Sequence, residues 1–430
     1  MLPPGPRTPA IWQTVDYMQD PARVLRRNRA RYGDAFVVRT LNVHGVVVTS
    51  AALAKEAFAK DPDGYDAFAA PLEGILGGMS IFATSGATHR RQRKLLNPRF
   101  HGAELRRFLD VMRDVAERRF GAVPAGEVVA MLDVGQDISL DVIVETVFGA
   151  GGVDRSRARS VLRAMLDGFS PAVLFSKHVR TPLFPPWRRF VAAREDFFAL
   201  ARDAIQARRA GKASGDDILG MLLDARFDDG AAMSDDEIHA HLLTLLIAGH
   251  ETTAIALAWG AYFLAREPEI LARLRAELRG ASATDAIVRL PFLGAVCDET
   301  LRVRPVVPDV VRPVREATSI GEWRVPAGDA IIIAIQAILS DPAMFPDPER
   351  FRPERFLERK FSPAEFPPFG GGHRRCLGAT FAEMELRVVL ATLAAGWDTE
   401  LVDRDPEPSV RRNVTMAPGR GVRVRLRRRG

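Results

Sequence analysis

The sequence predicts a mainly α fold with a small β region, carried by a single large domain, and three observations predict it. Apolar residues recur at helical spacing through most of the chain. Ser234-Asp235-Asp236-Glu237 forms a capping box, and helical spacing then continues to Arg266 with no proline until Pro268. That run is ~32 residues, or ~48 Å at 1.5 Å per residue, enough to cross a whole domain. β-type runs, by contrast, are short and lie near the start and toward the end. At 430 residues, length alone would suggest two or three domains. No Ser/Gly-rich or Pro-rich linker, repeat or shift in the 47% apolar content divides the chain, so one domain over residues 1–430 is expected.

Taken in order, Asp20-Pro21 opens a helix to Tyr32, and Phe36 to Arg39 with Val46 to Thr49 reads as a strand pair. Ala51 to Lys60 is helical. Asp61 to Gly86 is broken by prolines and glycines, and a loop of that length inside a compact domain is usually functional. On the next helix, ending near Asn97-Pro98, His89 and Arg93 are spaced i, i+4 and share a face. Two donors on one face suit an anion; a solvated basic helix is the plain alternative. Helical patterns follow over Ala103 to Phe120, Ile138 to Phe148, Arg155 to Asp167 and Trp187 to Arg209, with an apolar, proline-broken stretch from Ser170 to Pro186.

Within the long helix, Leu242 to Leu264 is apolar enough to suggest a membrane span. His250, Glu251, Thr252 and Thr253 sit at its centre, where charge in lipid is costly, so a buried functional helix fits better. His250-Glu251 also begins an H-E-x-x-H zinc pattern, but position 254 is Ala254 and the second ligand is missing. Glu299-Thr300-Leu301-Arg302 lies on a helix ending before Pro305. A strand-rich stretch follows from Pro308 through Ile335, then Pro353-Glu354-Arg355-Phe356 in an irregular segment. A helix marked by Phe381, Met384 and Val388 and short strands from Trp397 to Arg428 complete the chain.

Net charge is +6 and the pI about 9.7. The arginines are mostly scattered and lack interleaved aromatics, so nucleic acid is not expected as a partner. Two cysteines, Cys297 and Cys376, exclude a disulfide framework and a four-cysteine iron–sulfur cluster, and point to a reducing cytoplasmic setting. Met1 to Pro6 shows no charged region followed by an apolar one, so neither signal peptide nor membrane anchor is expected.

The stretch from Phe369 to Gly378 carries the chemistry. Three glycines and two arginines precede Cys376 directly before a helical pattern. Glycine permits left-handed backbone and close approach to a flat or bulky group. Arg374, Arg375 and the amides of the following helix favour a thiolate, which suits a metal or an electrophile. An inert buried cysteine is the plain alternative.

Phe369, Gly372, Arg374, Cys376 and Gly378 fit F-x-x-G-x-R-x-C-x-G, and Ala248-Gly249-His250-Glu251-Thr252-Thr253 fits [A/G]-G-x-[D/E]-T-T. With E-x-x-R at Glu299 and Arg302 and Pro353 to Phe356 between them, the chain resembles the cytochrome P-450 family over essentially its whole length. The resemblance implies the cytochrome P-450 fold and a haem b cofactor (iron protoporphyrin IX), with Cys376 as the axial thiolate. It implies that Phe369 shields the sulfur, that Gly378 is among the haem-binding positions, and that His89, Arg93, Arg312 and Arg374 hold the propionates. Ala248 and Gly249 would leave room for O2, Thr252 would supply a hydroxyl beside it, and Glu251 would relay protons. A structural bond back to the preceding turn is an open alternative for Thr253. Glu299, Arg302 and Arg355 would form a buried cluster bracing the cysteine loop.

Further implied are a substrate pocket of Phe68, Leu72, Leu76, Met79, Phe82, Leu245, Val307, Val310, Val414 and Met416, and a lid around Phe175, Leu183 and Phe184. Ordinary core packing is an equal alternative for several of the loop residues. The reaction implied is hydroxylation or epoxidation of a hydrophobic small molecule, with electrons from a ferredoxin and ferredoxin reductase docking on Arg90, Arg91 and Arg375. A monomer is expected. A peroxide-driven enzyme of the same fold and a non-catalytic haem carrier or sensor are the rivals.

Overall fold

The computed structural model describes residues 1–60, 64–67, 73–100, 102–149, 153–168, 179–211 and 216–429. The helical body is built on the helix Asp235–Arg266, whose Ser234 hydroxyl accepts from Glu237 N–H while the Glu237 carboxylate accepts from Ser234 N–H. This helix packs on Met131–Phe148, Pro291–Val303 and Ala379–Gly396. Small residues set those approaches. A Cβ on Gly135 would stand 3.0 Å from the Ala254 carbonyl oxygen, and one on Gly260 would stand 2.5 Å from a Leu390 methyl. The long helix is apolar enough by composition to cross a membrane, but most of that apolar window is buried in the body.

The main sheet has four strands in the order Ala35–Arg39, His44–Val48, Ala330–Ile333, Val310–Pro313. The first two form an antiparallel hairpin, the middle pair is parallel, and Val310–Pro313 returns antiparallel. A three-stranded sheet joins Val128–Ala130, Arg423–Arg428 and Trp397–Leu401, and a hairpin pairs Ser409–Arg412 with Thr415–Pro418. The main sheet carries its own small cores on both faces, beside the large helical core.

Several boundaries agree with the sequence reading: Pro21–Tyr32, Arg155–Asp167 and Asp235–Arg266. The helix read over 103–120 is two, Ala103–Arg106 and Leu109–Gly121, because the Phe108 N–H bonds back only three residues, to Leu105. The helix read from Ile138 begins earlier, at Met131. Among the described helices of ten residues or more, two went unread. Pro268–Leu278 starts on the proline taken as a stop signal. Ala10–Gln19 is inverted, burying Gln13 and exposing Ile11, Trp12, Val15 and Met18.

Candidate active site

The loop before Ala379–Gly396 is shaped by its glycines. Gly370 and Gly372 take φ of 68° and 65°, which L side chains rarely adopt. The loop also lies against the helix Ala51–Ala59. A Cβ on Gly371 would fall 2.4 Å from the Phe58 ring, and one on Gly372 would fall 2.3 Å from the Phe58 carbonyl oxygen. The Cys376 N–H donates to the Phe369 carbonyl at 3.0 Å, closing the turn. At Gly378 an added Cβ would meet no atom of the described residues within 4 Å outside its own neighbours and helix backbone.

Cys376 is accessible to solvent yet closely surrounded by protein, as a thiol facing an internal recess is. Burial raises its pKa above the ordinary thiol value, against the pull of the Gly378 amide and of Arg375 and Arg93. The expectation that flanking arginines favour a thiolate is therefore corrected for the protein alone: desolvation outweighs them. Arg375 and Arg93 are the leading cations acting on the sulfur, whereas Arg374 is turned elsewhere. Its guanidinium turns to the Thr84 carbonyl at 2.8 Å and Ser85 Oγ at 3.4 Å. A metal cation bound to the sulfur would supply the missing stabilisation.

Beside this loop four basic groups converge. Burial lowers the pKa of His89 to about 3, and Arg374, His373, Arg93 and Arg312 lower it further. Burial likewise lowers Arg312 and Arg374 to about 10, each with a neighbouring arginine adding to the shift. Buried cations that repel one another fit an anionic group placed among them. Haem carries two carboxylates on one edge, so this cluster, the Cys376 thiol and the glycine-lined loop fit the group. Arg93 has a second engagement: its Nε donates to the His373 carbonyl at 3.0 Å and its Nη2 to the Arg375 carbonyl, so it also braces the loop.

In the middle of the largely buried helix Asp235–Arg266, Leu245, Ala248, Gly249 and Thr252 are partly accessible, as are Ile247 and Glu251. The spacing i, i+3, i+4, i+7 puts the first four in one stripe. Among the described residues outside its own helix, a Cβ on Gly249 would meet only Ile143 Cδ1 within 4 Å, at 3.6 Å. A small cavity lined by Leu96, Phe100, His241, Thr244 and Leu245 also touches Leu377, connecting this stripe to the residue after the cysteine. Thr252 Oγ1 donates to the Ala248 carbonyl at 2.7 Å, so the turn-back bond considered for Thr253 is made by Thr252. Burial raises the Glu251 pKa, and Arg412, with Nε 3.5 Å away, opposes the shift. His250 points elsewhere, into the core, with Nε2 3.1 Å from the Gln136 carbonyl and its pKa lowered by burial to about 4.

Glu299, Arg302 and Arg355 come together in full burial. Arg302 donates to both Glu299 oxygens at 2.7 and 2.8 Å, and Arg355 Nε and the Arg352 N–H add bonds of 3.1 and 2.8 Å. The arginines extend to the carbonyls of Leu339, Pro348 and Pro346.

Other expectations fare differently. Phe68, Leu72 and Phe175 lie outside the described residues. Leu76 and Met416 are packed in the core, the first against the helical body and the second within a fully buried strand, so neither presents an accessible face. Met79, Phe82 and Val414 are exposed, as is Leu183, while Val307 and Val310 are half-buried. Arg91 pairs with Asp229 at 2.8 Å and stacks 3.8 Å over Phe227 while its side chain stays half-exposed. Sequence reasoning missed Phe58, whose contact with the glycine loop comes from a helix with no motif.

The family model "Cytochrome P450" matches residues 2–423. The chain is 36% identical to "Putative cytochrome P450 138" of Mycobacterium tuberculosis, with 100% of this chain and 97% of that one covered. It is 35% identical to "Putative cytochrome P450 135B1" of the same species, covering 99% and 91%. Among solved structures, "Retinoic acid bound cyanobacterial CYP120A1" superposes with a TM-score of 0.88 and 25% identity, covering 100% and 99%. A match across nearly the whole chain, on a fold that sets a cysteine loop beside buried cations, leads to one conclusion: the chain belongs to the cytochrome P450 family, the haem-thiolate monooxygenases that carry haem b.

Proposed function

We propose that this enzyme inserts one oxygen atom of O2 into a hydrophobic small molecule, by hydroxylation or epoxidation, with electrons from a separate ferredoxin and its reductase. The supporting observation is the accessible stripe of Leu245, Ala248, Gly249 and Thr252 in a largely buried helix, with Glu251 beside it. Haem, when bound, supplies oxygen activation and transfer. In this reading Cys376 Sγ is the metal ligand, Phe369 covers it, and His89, Arg93, Arg312 and Arg374 hold the propionates. Glu299, Arg302 and Arg355 keep the loop in register.

Thr252 Oγ1 holds a proton next to the gap left by Gly249, shared in the resting geometry with the Ala248 carbonyl. Glu251, its pKa raised by burial, exchanges protons with solvent past Arg412. Half-buried Val307 and Val310 give the pocket wall an apolar character. A cytoplasmic monomer is the setting we infer. Arg90, Arg91 and Arg375 are the docking cations for an acidic ferredoxin in this reading.

Turnover with a ferredoxin and reductase under oxygen, compared with turnover on hydrogen peroxide alone, tests the reading. Product formed with the reductase system and dependent on oxygen is expected. Product from peroxide only would transfer the chain to the peroxide-driven class, and absence of product with every fatty acid, terpenoid, steroid and polyketide tried despite bound haem would favour a carrier or sensor.

A further inference from the structure

The helix Ala10–Gln19 turns a polar side chain to the body and its large apolar ones to solvent. Gln13 is buried: its Nε2 donates to the Pro6 and Thr8 carbonyls at 3.3 and 2.8 Å, and its Oε1 accepts from the Arg39 N–H at 3.0 Å. Those bonds fix the rotation of the helix, because a buried amide left unpaired is costly. Ile11, Trp12, Val15 and Met18 then share an outward arc of ~120°, at ~100° per residue. They are 55, 65, 41 and 41% exposed.

The arc continues onto a second element. Leu41, 63% exposed, sits at the tip of the first hairpin, and its N–H donates to Thr14 Oγ1 at 2.9 Å. Five of the thirteen large apolar side chains exposed among the described residues therefore lie on two bonded elements. Scattered exposure is ordinary, whereas a contiguous patch marks a surface that something covers.

Charge narrows what covers it. The first 32 residues hold six arginines against Asp16 and Asp20, so +4 of the net +6 lies in this short part of the chain. Asp16, the one acid on the helix, is bonded by Arg23 and Arg27 at 2.9 and 2.7 Å, and both arginine side chains stay more than half exposed. Arg7, before the helix, and Arg39, beside the hairpin tip, are exposed as well. A second copy of the chain, in a two-fold contact, would press this positive rim against its own image, and like charges oppose that. A convex apolar stripe with a tryptophan, rimmed by arginines, matches a helix lying in the plane of an anionic lipid surface, with the indole at headgroup level.

We propose that the helix Ala10–Gln19 and the hairpin tip at Leu41 dock the folded protein peripherally on an anionic lipid bilayer, the apolar arc entering the headgroup–acyl boundary and the arginine rim facing the phosphates. The helix packs on the strand Ser409–Arg412, where the Arg411 guanidinium stands 5.0 Å over the Tyr17 ring and Arg412 pairs with Glu251, so one hairpin separates the docking helix from the oxygen groove. On the monooxygenase reading, docking thus brings the groove near the lipid in which a hydrophobic substrate dissolves; the docking itself does not depend on that reading.

The holoenzyme is sedimented with vesicles of phosphatidylcholine alone and of phosphatidylcholine mixed with phosphatidylglycerol. Binding to the mixed vesicles is expected to be about tenfold tighter or more, and to weaken as salt rises. Trp12 is the one exposed tryptophan of the five, so its emission shifts to the blue on docking, and Trp12→Phe removes that shift while the protein still sediments. Ile11→Ser combined with Trp12→Gln lowers binding about tenfold, as loss of two inserted apolar side chains requires. These side chains already face water, so haem content and the ferrous carbonyl spectrum of the variants should match the parent, which separates lost docking from lost folding. Equal affinity for the two vesicles, unchanged emission, or binding that survives the double substitution overturns the proposal. Self-association that the double substitution abolishes, without vesicle binding, gives the face to a second copy, and neither behaviour gives it to a protein partner; both outcomes overturn the lipid surface. Vesicle binding is read without turnover, so it stands or falls separately from the reaction class.

Discussion

Glu299→Gln removes the single negative charge that two fully buried guanidinium groups share. Glu299 accepts four bonds, three from Arg302 and Arg355 and one from the Arg352 N–H, and an amide keeps the shape while losing the charge and half the acceptor capacity. Breaking a buried ion pair by changing one partner costs ~3–5 kcal/mol. A chain of 430 residues unfolds with an entropy of ~0.9 kcal/mol/K at ~2.1 cal/mol/K per residue, so the expected drop in Tm is only ~3–6 °C. The local effect is larger, because the arginines anchor the carbonyls of Leu339, Pro346 and Pro348, in the segments that precede the cysteine loop. Calorimetry of the variant, paired with the fraction of haem retained after gel filtration, reads both. A Tm within about 1 °C of the parent together with full haem retention would refute the bracing argument.

Four further outcomes follow from the same geometry. Gly372→Ala places a methyl 2.3 Å from the Phe58 carbonyl oxygen on a left-handed residue, so soluble protein with little or no haem is expected; normal haem stoichiometry would show that the loop can shift. Thr252→Ala should keep haem and lower product per reducing equivalent consumed, with hydrogen peroxide as the balance; unchanged coupling would remove Thr252 from proton handling. Burial holds the Glu385 carboxyl protonated to about 8, so the folded chain binds a proton that the unfolded chain has released. Stability must fall as pH rises from the ordinary carboxylate range through that value, and Glu385→Gln should flatten urea midpoints compared at about pH 6 and about pH 8. Rising salt should slow reduction by an acidic ferredoxin, with Arg375→Glu slowing it further at low salt; a flat salt profile speaks against electrostatic docking.

Much of the fold was legible because its signals are local. The capping box at Ser234, the Asp20 cap that accepts from Arg23 N–H, and the i, i+4 pair His89 and Arg93 depend on residues within one or two turns. The site order was legible for a similar reason, since the glycines and the cysteine occupy a fixed short pattern. What stayed hidden depends on partners distant in sequence. Nothing near Arg374 announces that it reaches Thr84, nor near Arg91 that Asp229 and Phe227 claim it. The balance between burial and charge at Cys376 is likewise a property of the packed site rather than of the motif. The helix Ala10–Gln19 misled because its polar Gln13 faces inward, bonding the carbonyls of Pro6 and Thr8.

The parallel pairing of His44–Val48 with Ala330–Ile333 has a kinetic side. The side-chain bond between His44 and Asp329, at the mouth of that pairing, spans 285 positions. During synthesis, the first hairpin must wait on the ribosome for most of the polypeptide before its valine-rich edge is covered. Until then an unpaired apolar strand is exposed to other nascent chains. Slower growth at low temperature, or a chaperone that shields that edge, should therefore raise the soluble yield more than any change to the haem loop.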